Sequence, residues 1–135
     1  MSNWCSILGL CSALSAAPVP TTIAGAVYVH DGDTLYVNHQ AVRLFGVDAE
    51  ELSEPTGIRA REALRDIVSG KSVTCVPEGA SHHRSVSRCY IGDVEINNAI
   101  VKSGWALDCA KYSGGAYRKS EPPGARLRLI QKPYC

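Results

Sequence analysis

Between residues 25 and 91 the sequence alternates short β-branched and aromatic runs with Gly, Asp and Asn turns, and only once does its apolar spacing change to that of a helix. The runs are residues 25–30 (GAVYVH), 35–37, 41–47 (AVRLFGV), 71–76 and 85–91. The helix is opened by Glu54-Pro55-Thr56-Gly57, carries Ile58, Ala60, Ala63, Leu64, Ile67 and Val68 on one face, and is closed by Gly70. A polar loop over residues 77–84 is expected between the last two strands. A shorter helix over residues 96–103 should end at Gly104, and helical character from Tyr117 onward meets Pro122-Pro123. Five short strands, one inserted helix and appended C-terminal helices predict an α+β fold of the oligonucleotide/oligosaccharide-binding (OB) barrel type. With 135 residues there is room for one domain, expected over residues 25–135, and an extended linker over residues 18–24.

The N-terminal segment reads as an address. Residues 4–17 (WCSILGLCSALSAA) are uncharged, about the length of a signal-peptide core and too short to cross a bilayer. Ser15, Ala16 and Ala17 are small enough for a peptidase site, which makes residues 1–17 a signal peptide and the protein secreted or periplasmic. No Lys or Arg precedes the run, so a buried N-terminal helix is the alternative. Removing this segment leaves Cys75, Cys89, Cys109 and Cys135, an even number that suits an oxidising compartment. Cys75 and Cys89 are expected to pair across the last two strands, and Cys109 with Cys135 is a less constrained second pair; buried free thiols are the alternative.

Net charge is only +1, which does not by itself announce a nucleic-acid partner. Its distribution is uneven: residues 31–111 hold 9 basic and 12 acidic side chains, residues 112–135 hold 5 and 1. Asp33, Asp48, Glu50 and Glu51 would crowd together if the first turn folds beside the end of the third strand. Neighbouring carboxylates raise one another's pKa unless a cation compensates, and a hard oxygen-liking ion such as Ca²⁺ suits that need. Arg43 interrupts an apolar strand, where an Arg either faces solvent or is held by a carboxylate or phosphate.

VHDGDTLYVN, AVRLFGVDAEE, the helix, HHRSVSRCYI and INNAIVKSGWAL, in this order, resemble the staphylococcal nuclease-like (thermonuclease) family from about Gly25 to Tyr117. The resemblance implies a Ca²⁺-dependent phosphodiesterase that cuts single-stranded or denatured DNA and RNA and leaves 3′-phosphate ends, acting as a monomer. It makes Asp33, Asp48 and the main-chain carbonyl of Ala49 the Ca²⁺ ligands. Glu51 becomes the residue that orients or deprotonates water, and Arg43 and Arg84 grip the phosphate. Tyr112 and Tyr117 line the nucleotide side of the cleft. His82 and His83 replace the family's Tyr-Gly before the second Arg, which leaves His82 either a substrate contact or a residue of a solvated loop. Glu50 stands where the family has Pro. Two other readings remain: a non-catalytic module that binds nucleic acid or another polyanion, and an accessory protein of a surface or exopolysaccharide pathway.

Overall fold

The computed structural model describes residues 21–135, so the expected signal peptide lies outside the described residues. The first described strand is β1 (Ile23–Gly25), inside the stretch expected to be linker, and after Ala26 the chain continues as β2 (Val27–Asp31). β3 (Thr34–Val37), β4 (Gln40–Leu44), β6 (Val73–Ser81) and β7 (Arg84–Ile91) complete the main sheet in the order β1-β6-β7-β4-β3-β2, with β8 (Val94–Glu95) added to β7. Only β4 and β7 run parallel. The sheet is not closed into a barrel: its end strands β1 and β2 do not pair with each other.

Two expected boundaries move for local reasons. The run at residues 41–47 is not one strand, because Gly46 takes φ +70° and turns the chain after Leu44. A short β5 (Val47–Asp48) follows and pairs with β9 (Leu107–Asp108) away from the main sheet. Just after β5, Ala49 N reaches Asp33 in the turn between β2 and β3. The expected loop at residues 77–84 is strand almost throughout. Pro77, which has no N–H to give the ladder, sits at a bulge where the register slips between Pro77 and Gly79, and pairing then resumes to Ser81↔Arg84. His82 and His83 are the two central residues of the hairpin turn, both left-handed (φ 51° and 63°), as primed turns require.

Helix α1 (Pro55–Val68) starts on a proline and buries Gly57, Ala60, Leu64 and Val68, one face at helical spacing, against the sheet. Leu35, Val42, Leu44, Leu64, Ile96 and Ile100 form the centre of the core. Helix α2 (Ile96–Lys102) inserts Asn97 into it: the side chain accepts from Cys89 N (3.0 Å) and donates to Phe45 O (2.9 Å) and Ser87 O (3.2 Å). Pro122-Pro123 interrupts the C-terminal region as expected, between a 3₁₀ turn (Arg118–Ser120) and α4 (Ala125–Arg128), while α3 (Ala110–Ser113) ends earlier, at the left-handed Gly114 and Gly115.

Both expected disulfides are present, Cys75–Cys89 and Cys109–Cys135. Cys75 and Cys89 are directly opposite each other on β6 and β7. Replacing both by Ala is expected to lower unfolding free energy by about 3 kcal/mol, the chain-entropy value for a loop of this size. Urea unfolding of the oxidised protein measures it, and a loss below about 1 kcal/mol would contradict the assignment of that constraint to the unfolded chain.

Candidate active site

The first turn supplies the central carboxylate. Asp33 N donates to Asp31 Oδ1 at 3.1 Å, closing the turn. Gly32 lets it pack tightly, since a Cβ there would lie 2.5 Å from Ala60 Cβ on α1 and 2.7 Å from Ala49 Cβ. Asp33 is therefore buried, and its Oδ2 accepts from Ala49 N at 3.1 Å and faces Arg43 Nη2 at 3.3 Å. Burial pushes this carboxyl up to about 6, with the Arg43 guanidinium opposing.

The two arginines come from the parallel strands. Arg43 lies opposite both Thr34 on β3 and Val86 on β7, and Arg84, two residues before Val86, projects to the same side. Arg84 Nη1 donates to Thr34 Oγ1 at 3.2 Å, and that hydroxyl donates to Asp33 Oδ1 at 3.3 Å. Arg43 Nη1 donates to Leu44 O at 3.0 Å. Both guanidinium groups thus converge on Asp33 and Thr34, and both line a cleft of about 600 Å³ together with His82, Tyr112 and Tyr134.

The segment after β5 carries the remaining oxygens, and it meets the C-terminus of the chain. Lys132 Nζ donates to Asp48 Oδ1 (2.8 Å) and to Ala49 O (2.7 Å) and lies 3.6 Å from Glu51 Oε1. Lys132 N donates to the other Asp48 oxygen, Oδ2, at 3.0 Å. Burial works against the Lys132 charge, but the hydrogen bond to Asp48 and the charges of Asp48 and Asp33 outweigh it and hold the ammonium above its ordinary value. Glu50 accepts from Ile130 N at 2.8 Å and so fastens the same tail. Glu51 stays largely exposed, at 69% of its side chain.

Of the residues expected from the sequence, Asp33, Arg43, Asp48, Ala49, Glu51 and Arg84 are brought together, and His82 and Tyr112 reach the adjoining cleft. Tyr117 is corrected: it is 2% exposed, its hydroxyl donating to Glu95 Oε2 at 2.6 Å and accepting from Arg88 at 3.2 Å, so it braces the core and does not line the cleft. Sequence reasoning missed Lys132. The Cys109–Cys135 bridge contained the clue, since it carries residue 132 to the neighbour of Asp108, which pairs with Val47 just before Asp48.

The oxygens expected to bind Ca²⁺ do not fit that ion as they stand. Both Asp48 oxygens and the Ala49 carbonyl already receive hydrogens from Lys132, and Asp33 Oδ2 is shared between Ala49 N and Arg43. Among the described residues no group of three or more His, Cys, Asp or Glu is placed to hold a metal ion.

Residues 41–122 match the family model described as staphylococcal nuclease homologue, which is more than half of the chain. The chain belongs to the staphylococcal nuclease homologue family. It is also similar to an uncharacterized endonuclease of Haemophilus influenzae, with 31% identity over 80% of this chain. The chain spans about 64% of that relative's length. The family match takes in Arg43, Asp48, Glu51 and Arg84 and stops before the segment that carries Lys132. No helix among the described residues is long and apolar enough to cross a membrane.

Proposed function

We propose that the protein is an endonuclease that hydrolyses phosphodiester bonds of single-stranded or denatured DNA and RNA. The observation that carries this reading is the convergence of Arg43 and Arg84 on one side of two parallel strands, with the exposed carboxylate of Glu51 joined to them through Lys132, Ala49 and Asp33. A phosphodiester is an anion that repels an attacking oxygen. Planar guanidinium forks neutralise its non-bridging oxygens and follow their charge as the pentacoordinate transition state forms. Glu51 accepts a proton from water, the water oxygen bonds to phosphorus, and the bond to the 5′ oxygen breaks, the leaving alkoxide taking a proton from solvent. The product is a 3′-phosphate end. Tyr112 and Tyr134, whose rings meet edge to face at 6.4 Å, offer apolar surface for a base beside the phosphate grip.

The finer fold reading is an OB-type architecture, left as an open sheet, in which β1 and β2 act as one bent first strand. Gly25 (φ +140°) provides the bend, and Asn38 N donating to Ala26 O at 2.9 Å carries pairing across the gap. Two disulfides suit a secreted or periplasmic location.

The test is cleavage of end-labelled denatured DNA by the purified protein, with the new termini identified. Internal cuts bearing 3′-phosphate are expected, and Glu51→Gln should lower kcat by about 10²–10⁴-fold with affinity retained, having kept the shape but lost the base. Tight DNA binding by the native protein with no cleavage would leave it a binding module.

A further inference from the structure

The tail that enters the carboxylate cluster is held along its length. Glu50 takes Ile130 N, Gln131 Nε2 donates to Asp108 O at 2.7 Å, Asp48 takes both the backbone N and the ammonium of Lys132, and Cys135 is bonded to Cys109. A solvated surface lysine has no such fastening. Its ammonium carries three hydrogens, of which one serves Asp48 Oδ1 and one Ala49 O. Among the described residues the third has no acceptor at hydrogen-bond distance, Glu51 Oε1 being 3.6 Å away. A positive charge therefore stands among the oxygens that the sequence resemblance assigns to a divalent ion, with one donor unspent among the described residues and 24% of its side chain open to solvent.

We propose that Lys132 is the resident cation of this site, a catalytic residue whose free N–H meets a non-bridging oxygen of the scissile phosphate, so that hydrolysis needs no divalent metal. The proposal rests on the nuclease reading. Lys132 keeps its protons throughout: it compensates the charge of Asp48 and Glu51 and adds a third cationic donor to those of Arg43 and Arg84. The disulfide fixes it there at no cost at the moment of reaction, because Cys109 follows directly on the strand that pairs with β5.

The test uses Ca²⁺ itself as probe, on the native oxidised protein, on Lys132→Ala and on Lys132→Met, which keeps an apolar stem in place if the smaller side chain unsettles the tail. Titration calorimetry should show no Ca²⁺ binding at millimolar concentration by the native protein and binding by both variants. Cleavage of denatured DNA by the native protein should be equal in chelator and in Ca²⁺. Both variants should lose at least about 10²-fold in chelator, the usual cost of one preorganised donor, and recover part of it with Ca²⁺. Equal Ca²⁺ affinity in native and variant proteins would overturn the proposal. So would a native protein silent in chelator beside Ca²⁺-active variants, because Lys132 would then block the site. Calcium binding confined to the variants upholds Lys132 as resident cation even where no protein cuts DNA, a result that removes the nuclease reading alone.

Discussion

Arg84→Ala is expected to lower kcat by at least about 10²-fold while affinity for denatured DNA changes far less. Among the described residues Arg84 spends one donor on Thr34 Oγ1 and makes no ion pair, which leaves most of its five N–H groups for a ligand. Its substitution also leaves no buried charge exposed, because Thr34 keeps its bond to Asp33. Arg43 is a poorer probe: it compensates the buried Asp33, and its removal would mix lost catalysis with an unpaired carboxylate and a cost of a few kcal/mol in stability. Arg84→Lys should stay badly impaired, since a point charge lacks the planar fork that matches two phosphate oxygens. Single-turnover cleavage and fluorescence anisotropy of the same oligonucleotide separate the two effects. Equal losses in rate and affinity would mean that Arg84 grips substrate and transition state alike.

The strands, the long helix and the Cys75–Cys89 bridge were legible because each rests on local pattern: β-branched runs, helical spacing from Ile58 to Val68, and cysteines facing on neighbouring strands. The gathering of Asp33, Arg43, Asp48 and Arg84 was legible through the motif resemblance, not through periodicity. What escaped depends on distant chain. Gly46 reads as one more residue of an apolar run until Cys109 N is seen to claim its carbonyl at 2.8 Å, while a Cβ there would meet Ser113. Tyr117 carries the polar tip of a binding residue, yet Glu95 and Arg88 satisfy that tip inside the protein. Asn97 looks like a helix-surface amide and instead ties β7 to the turn after β4. Lys132 lay in a short basic tail with no periodicity, and only the second disulfide related it to the carboxylates.

Gly57→Ala is expected to cost activity well beyond its cost in stability. Gly57 stands in the first turn of α1, where the helix meets the backbone of Glu51: a Cβ there would lie 1.8 Å from Glu51 O, 2.4 Å from its carbonyl carbon and 2.7 Å from Glu50 O. These are backbone atoms, which cannot rotate aside as a side chain would. The helix start is fixed in turn by its Pro55 entry and by Gly57 N donating to Glu54 O at 3.0 Å, so the segment carrying Glu50 and Glu51 must give way. Overpacking of this kind costs about 1–3 kcal/mol of stability. On the proposed reading, in which Glu51 activates water, displacing its carboxylate by about 1 Å is expected to cost on the order of 10²-fold in rate, because proton transfer depends steeply on geometry. The same shift would pull Glu50 from Ile130 N and slacken the tail behind Lys132. Thermal unfolding gives the stability cost and single-turnover cleavage of denatured DNA, below the unfolding range, gives the rate. A variant destabilised as expected but cutting at the native rate would show that the helix start does not set the position of Glu51.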